Sequence, residues 1–174
     1  VRYKMQLQDK TFEYLDNPSE FPEVSTIENI FEPYIRAEII SPSEFIGAIM
    51  KICVNRRAVY KSTNFLSKDK VQLIFNMPLG EIIYEFFEKL KATSKGYATL
   101  DYELIDDKPG DLKRLDIKIA GEIVDALSII VHKDNAYKSG AELCKKLKEL
   151  IPRHQFEVPI QAAIGNKIIS RETV

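Results

Sequence analysis

The order in which the hydrophobic period changes between Tyr34 and Asp107 restricts this chain to few architectures, because a two-residue period makes strands and a 3.6-residue period makes helices. Tyr34 to Ile40 reads as a strand. Ser41-Pro42-Ser43-Glu44 then carries the marks of a helix start: Ser41 as cap, Pro42 at the first helical position and Glu44 closing a capping box. Phe45, Ile49, Ile52 and Cys53 follow at helical spacing until Asn55-Arg56-Arg57 ends the pattern. Val59 to Phe65 and Val71 to Phe75 read as strands joined by a turn at Ser67 to Lys70. Pro78 opens a second helix with Ile82, Ile83, Phe86, Phe87 and Leu90 on one stripe, Gly96 caps its end, and Tyr97 to Ile105 is a closing strand.

Written out, the order is βαββαβ, which predicts a ferredoxin-like plait with two helices on one face of a four-stranded antiparallel sheet. Upstream, Tyr3, Met5 and Leu7 alternate with polar residues, Asp9-Lys10 turns the chain and Thr11 to Leu15 returns it, so a β-hairpin opens the sequence. Asp16 to Pro33 contains Asn17-Pro18, Phe21-Pro22 and Glu32-Pro33 and reads as a connector, because the residue before a proline is biased away from helix. Asp106 to Gly110 is a polar break with a Pro-Gly turn, taken as a domain boundary. Beyond it Leu112 to Ile119 alternates, Ala120-Gly121 turns, and Ile123 to Val131 is an apolar strand-pair candidate. A helix is expected over 139–150 with Leu143, Leu147 and Leu150 inward, and Phe156 to Ile169 is expected to be extended. The expected class is α+β: a plait preceded by a β-hairpin and followed by a second α+β domain.

Composition bounds the function. With 174 residues, 45% hydrophobic and 29% charged, the chain has a globular balance, and a formal net charge of -1 excludes a global basic field, so any RNA contact must be local. Cys53 and Cys144 each sit in a helical apolar pattern and read as buried, reduced thiols in a reducing cytoplasm. No apolar run approaches the about 20 residues that cross a bilayer. The seven glycines are scattered, and none forms the G-x-x-x-x-G-K-[ST] loop whose backbone amides wrap phosphate. Val1 in place of methionine is taken as a sign that the sequence was cut from something longer or was processed.

The remaining chemical candidates have ordinary explanations. His132 and His154 lack a motif-spaced Cys, Asp or second His, and read as structural or surface residues. Asp106 and Asp107 are neighbours in a polar turn, where carboxylates stay solvated. Lys145, Lys146 and Lys148, interleaved with Leu143 and Leu147, form the wet face of an amphipathic helix before they form anything else. Lys95 to Tyr102 fits an RNP1 consensus except at Thr99. Stacking would require the third, central strand, whereas this is the fourth, and Tyr97 and Tyr102 lie an odd distance apart.

Several stretches resemble the LepA family, also called elongation factor 4. Lys91 to Tyr102 is similar to the family's K-S-T-S-R-G-Y-A-S-L-D-Y, Gly121 to Leu127 to G-E-x-V-D-A-L, and His132 to Asn135 to H-R-D-N. Lys148 to Phe156 and Ile160 to Gly165 resemble K-E-L-I-P-R-Q-Q-F and I-Q-A-A-I-G. The resemblance covers nearly the whole chain and is weakest in the connector and in Ser62 to Lys70. Departures are Arg57-Ala58 for R-G, and His154 and Pro159 for Gln and Ala.

The resemblance implies a piece of a translational GTPase. Residues 1–33 would be the end of a preceding domain and its connector, 34–108 the equivalent of the fifth domain of elongation factor G, and 109–174 the start of a family-specific C-terminal domain, truncated before a Lys-rich stretch and a C-Y-G-G segment. The parent would bind GTP and magnesium in domains upstream, act on tRNA-loaded ribosomes in the cytoplasm, drive back-translocation, and associate peripherally with the cell membrane. This stretch would carry no cofactor, metal, small-molecule substrate or catalytic group, and would contact ribosomal RNA and tRNA. Lys133, Lys138, Lys145, Lys146, Arg153, His154, Gln155, Lys167 and Arg171 are expected to form that contact face by shape and backbone recognition. The rival from another class is an ACT-like plait that binds a small regulatory molecule. An acylphosphatase-like enzyme would need an Arg-bearing anion loop after the first strand, and Ser41-Pro42-Ser43 offers none.

Overall fold

A computed structural model describes residues 2–83, 85–152 and 157–174. The chain divides into two compact units: Phe31–Pro109 with the chain's first residues, and Gly110–Val174 with Lys4–Ile30.

The first unit is the expected plait. Its strands are β3 (Ile27–Pro42, of which residues 31–42 lie here), β4 (Val59–Ser67), β5 (Lys70–Pro78) and β6 (Thr99–Pro109). They pair antiparallel in the order β6-β3-β5-β4. The helices are α1 (Ile46–Val54), α2 (Leu79–Ile83) and α3 (Phe86–Thr93). Alternate strand residues Ile35, Ala37, Ile39, Val71, Leu73, Phe75 and Met77 join Ile49, Cys53, Phe86 and Leu90 in one core, so α1 and α3 cover the same sheet face.

Five local features differ from the sequence expectation. Strand β6 runs on through Asp106 and Asp107 to Pro109, where the sequence predicts a polar turn, because the earlier start of β3 gives it Glu32 and Phe31 to pair with. Strand β3 begins at Ile27 rather than Tyr34 and runs through Pro33, which sits where the register with β6 shifts between Glu32 and Tyr34. A bulge is where a residue without an N–H can be tolerated in a ladder. Ser41 does not cap a helix: pairing continues to Pro42 opposite Lys70, and the Ser41 hydroxyl donates to the Pro42 carbonyl. A 3-10 turn over Ser43–Phe45 intervenes before α1. The second helix is split by Glu85 at φ 56, which aims Phe86 and Leu90 inward while Ile83 and Phe87 stay about half exposed. At the end of α3, Lys95 rather than Gly96 takes the first left-handed position. Gly96 N–H donates to Lys91 O and Lys95 N–H to Ala92 O, a Schellman closure. Helix α1 ends the same way, with Arg57 left-handed, Ala58 N–H donating to Cys53 O and Arg57 N–H to Val54 O.

In the second unit, β1 (Tyr3–Leu7) and β2 (Phe12–Leu15) form the opening hairpin, turned at left-handed Lys10. Gln8 N–H donates to Thr26 O, and Lys10 pairs with Glu28 at 2.5 Å, so the start of β3 is tied to the hairpin. The rest is one sheet carrying one helix: β7 (Leu112–Ile119), β8 (Glu122–Ile123), β9 (Ile129–His132), α4 (Ala136–Leu150), β10 (Pro159–Ile164) and β11 (Lys167–Thr173). The order is β11-β10-β7-β8, with β9 also on β7. The apolar run 123–131 is not one strand, because a 3-10 turn over Asp125–Leu127 breaks it and Ser128 turns its hydroxyl onto buried Asp116. Helix α4 starts three residues before the expected Ser139, following a 3-10 turn over Lys133–Asn135. Its buried row is Ala136, Gly140 and Cys144, whereas Leu150 is 77% exposed. A Cβ on Gly140 would lie 2.9 Å from Ala162 Cβ, so the helix backbone lies directly on β10.

Candidate nucleic-acid interface

Each unit has a sheet face turned away from its helices, and the two faces differ in chemistry. In the first unit this face holds Arg36 and Glu38 on β3, Asn64 on β4, Gln72 on β5, and Asp101 and Glu103 on β6, by the alternation that sends Ile35, Ala37 and Ile39 to the core. Hydrogen bonds join three of the strands and an ion pair reaches the fourth. Asn64 donates to Gln72 Oε1 at 3.1 Å, Gln72 to Glu38 Oε2 at 3.4 Å and Arg36 to Glu38 Oε1 at 2.6 Å, and Arg36 lies 3.6 Å from Glu103. The donors are engaged internally and carboxylates outnumber the one guanidinium, so phosphate is repelled here. Tyr102 pairs with Ala37 and therefore points to the helix side, and Tyr97 precedes β6 altogether. This face is not an aromatic stacking platform.

The helix side of the same unit contains a buried ionic clamp. Arg57 Nη1 and Nη2 donate to the two Glu32 carboxylate oxygens at 2.7 and 3.0 Å, and Arg57 Nε donates to Glu81 Oε1 at 2.9 Å. Burial opposes the Arg57 charge, but Glu32 and Glu81 outweigh it and hold the guanidinium protonated. Tyr34 is raised above the ordinary phenol range by burial first and by the Glu32 charge second. The cluster joins β3, the end of α1 and α2, which is a structural use of charge.

Both cysteines are buried, and burial disfavours the thiolate that a nucleophile needs. Burial pushes the Cys53 thiol up to about 12, and burial with the Glu172 charge raises Cys144 against a hydrogen bond from Ser170. His132 accepts the Asp134 N–H on Nδ1 at 3.1 Å and caps the turn before α4.

In the second unit, Leu115, Ile117, Ile160, Ala162 and Ile164 face α4, so Arg114, Asp116, Lys118, Gln161 and Ala163 face away. Register places Ile123, Lys118, Gln161 and Arg171 in one row across β8, β7, β10 and β11. Arg114 is neutralised by Asp116, with Nε to Oδ1 at 3.1 Å. Among the described residues no ion pair engages Lys118 or Arg171.

The structure divides the expected contact residues. Lys138, Lys145 and Lys146 are exposed on α4, where Glu142 and Glu149 alternate with them at helical spacing. Lys167 is exposed at the start of β11, paired with helix-facing Ile164, and Lys133 is exposed in the turn before α4. Arg171 pairs with Gln161 on the opposite sheet face, so it is not continuous with the helix lysines. Arg153, His154 and Gln155 lie outside the described residues. Sequence reading passed over Lys118 and Gln161, because only the β7–β10–β11 register aligns them with Arg171.

Comparison with known proteins matches residues 29–118 to the elongation factor G C-terminus and residues 119–174 to the C-terminus of the GTP-binding protein LepA. All 174 residues align with proteins named elongation factor 4: at 49% identity in Halalkalibacterium halodurans, 51% in Mycoplasmopsis agalactiae and 48% in Bacillus subtilis. The chain spans 29%, 29% and 28% of those relatives respectively.

Proposed function

This chain belongs to the LepA (elongation factor 4) family as a match to its C-terminal region, and from that premise we propose that it is a ribosome-contacting part of a translational GTPase. The observation that carries the reading is the alignment of the whole chain with elongation factor 4 proteins. The proposal assigns 1–33 to the end of a preceding domain, 34–108 to the equivalent of the fifth domain of elongation factor G and 109–174 to the LepA-specific domain. GTP and magnesium are handled outside these residues, in keeping with a sequence that has no phosphate-wrapping glycine loop. Back-translocation, cytoplasmic location and peripheral membrane association are proposed for the parent. No helix among the described residues is long and apolar enough to cross a membrane.

The RNA-contact proposal covers Lys133, Lys145, Lys146, Arg153, His154, Gln155, Lys167 and Arg171, extended along the sheet row to Gln161 and Lys118. Lysine and arginine would hold phosphates, and Gln161 would donate to a ribose or base edge. The test is co-sedimentation of the full-length protein with bacterial 70S ribosomes across a salt series, with Arg153 and Lys167 replaced by Ala. Each lost phosphate contact should lower the log-log salt slope by somewhat under about one unit. Unchanged affinity and slope in a folded variant would remove those residues from the contact. Calorimetry of the isolated chain with GTP and magnesium should show no binding heat, and a micromolar dissociation constant would overturn that assignment.

A further inference from the structure

The tip of the β4–β5 hairpin presents apolar side chains that the first unit's core does not use. Phe65 is 68% exposed and Leu66 52% exposed, side by side in sequence. Leu66 falls where the β4–β5 register shifts between Phe65 and Ser67, so the ladder lifts it out of alignment. The surrounding residues 61–70 hold Lys61, Lys68 and Lys70 against the single carboxylate of Asp69, in a chain whose net charge is -1. All three lysines are exposed, and among the described residues none has an ion-pair partner.

The tip is tied to its surroundings by pairing and hydrogen bonds. Phe65 pairs with fully buried Val71, Asn64 donates to Gln72 at 3.1 Å, and Ser43 N–H donates to Asp69 O at 2.8 Å. An exposed ring on a paired hairpin loses little conformational freedom when it is covered. Two adjacent apolar side chains fall far short of the roughly 800 Å² that each partner contributes to a standard protein interface. They suit a smaller ligand: one face of a ring takes one base, and the positive field of the hairpin tip attracts its phosphates.

We infer that the β4–β5 tip is an RNA contact in which the Phe65 ring stacks on an unpaired nucleotide while Lys68, in the turn itself, holds an adjoining phosphate and Lys61 and Lys70 add positive field around the hairpin. The inference rests on the ribosome reading above and adds to it a site in the other unit, of a different kind from the sheet row of Lys118, Gln161 and Arg171. Stacking needs an aromatic face and not simply apolar area. That requirement separates RNA from a lipid surface or a protein socket, either of which would accept leucine at position 65.

The experiment uses full-length protein and bacterial 70S ribosomes. Phe65→Leu should weaken ribosome binding by about 5- to 150-fold, Phe65→Trp should keep it, and Lys68→Gln with Lys70→Gln should lower the salt slope. A photoreactive benzoylphenylalanine at position 65 should form its adduct on a nucleotide. If unmodified protein binds and Phe65→Leu binds equally well, or if the adduct forms only on ribosomal protein or lipid, the stacking contact is overturned and the ribosome reading stands. If unmodified protein does not co-sediment, the ribosome reading falls and the stacking contact falls with it.

Discussion

The two units bury their helices by different means. In the first, Phe75, Phe86, Ile49, Leu90 and Met77 fill a wide space between sheet and helices, with the Glu32–Arg57–Glu81 clamp at its margin. In the second, a single helix approaches β10 so closely that its buried row is Ala136, Gly140 and Cys144, facing Ala162. One unit packs large side chains beside a charge network; the other adds to its Leu115, Ile117 and Ile160 core a helix row in which side-chain volume is absent at Gly140. The same kind of substitution should therefore have opposite consequences in the two.

The largest expected effect falls on the clamp. Replacing Arg57 by Met leaves Glu32, whose side chain is 4% exposed, without its bidentate partner. An uncompensated buried charge costs about 3–5 kcal/mol, and this loss should appear in urea unfolding and in hydrogen exchange of the first unit's amides. Converting Glu32 and Glu81 to Gln in the same protein should recover much of it, because a neutral buried amide lacks the ionic desolvation cost. If Arg57→Met alone costs under about 1 kcal/mol, the clamp is not part of what holds this unit together.

Glycine substitutions test the comparison directly. Gly140→Ala should gain up to about 1 kcal/mol of helix propensity but lose about 1–3 kcal/mol through overpacking against Ala162, for a net loss. Adding Ala162→Gly should restore the space, so the pair should be strongly non-additive. In the first unit, Gly47 lies in α1 with nothing within 4 Å of an added Cβ. Gly47→Ala should therefore stabilise by up to about 1 kcal/mol. A stabilising Gly140→Ala would mean that α4 does not ride on β10 as closely as described.

These contrasts also explain how much was legible in the sequence. The plait could be read because its strands alternate cleanly and its helices carry large apolar residues at positions such as Ile49, Phe86 and Leu90. On α4, Leu143 and Leu147 pack against the core as their spacing predicts, whereas Leu150 is exposed and the most deeply buried row, Ala136, Gly140 and Cys144, consists of small residues whose inward position a search for large apolar side chains does not find. Pro33 concealed the first part of β3, since a proline within a strand is acceptable only at an irregularity that sequence does not display. Among candidate contacts, Lys145, Lys146 and Arg171 were recognised as cations, but their separation onto different faces depends on strand register, which no local pattern specifies.

Thiol ionisation gives a third contrast. Burial raises Cys53 from its ordinary 9.0 to about 12, so its protonated form is the one that favours folding. That contribution is complete below about pH 9 and is lost as pH rises from there toward 12, because the unfolded chain ionises first. Comparing wild type with Cys53→Ala over this interval should isolate the slope from that of tyrosines and lysines. Cys144 is also raised, but a hydrogen bond from Ser170 opposes the shift, so its substitution should flatten the curve less. Equal slopes from the two cysteines would contradict the difference between a fully apolar surround and one bordered by Ser170 and Glu172.

The smallest expected effect concerns the sheet faces turned away from the helices, where the two units differ in sign. Glu38 in the first unit is already satisfied by Arg36 and Gln72, whereas among the described residues Lys118 and Arg171 in the second have no ion-pair partner. If the family-based ribosome reading holds, removing one positive charge from the second face should lower the log-log salt slope of ribosome binding by somewhat under about one unit. Lys118→Ala and Arg171→Ala should each do this, and together should lower it roughly twofold more. Lys145→Ala serves as the comparison on the helix surface, where Glu142 and Glu149 dilute the field. Glu38→Gln should leave both affinity and slope unaltered, because it changes a face from which phosphate is already excluded. A slope that responds to Glu38 and ignores Lys118 and Arg171 would reverse the assignment of which sheet meets RNA, and would return the helix lysines to first place among the contacts of the second unit.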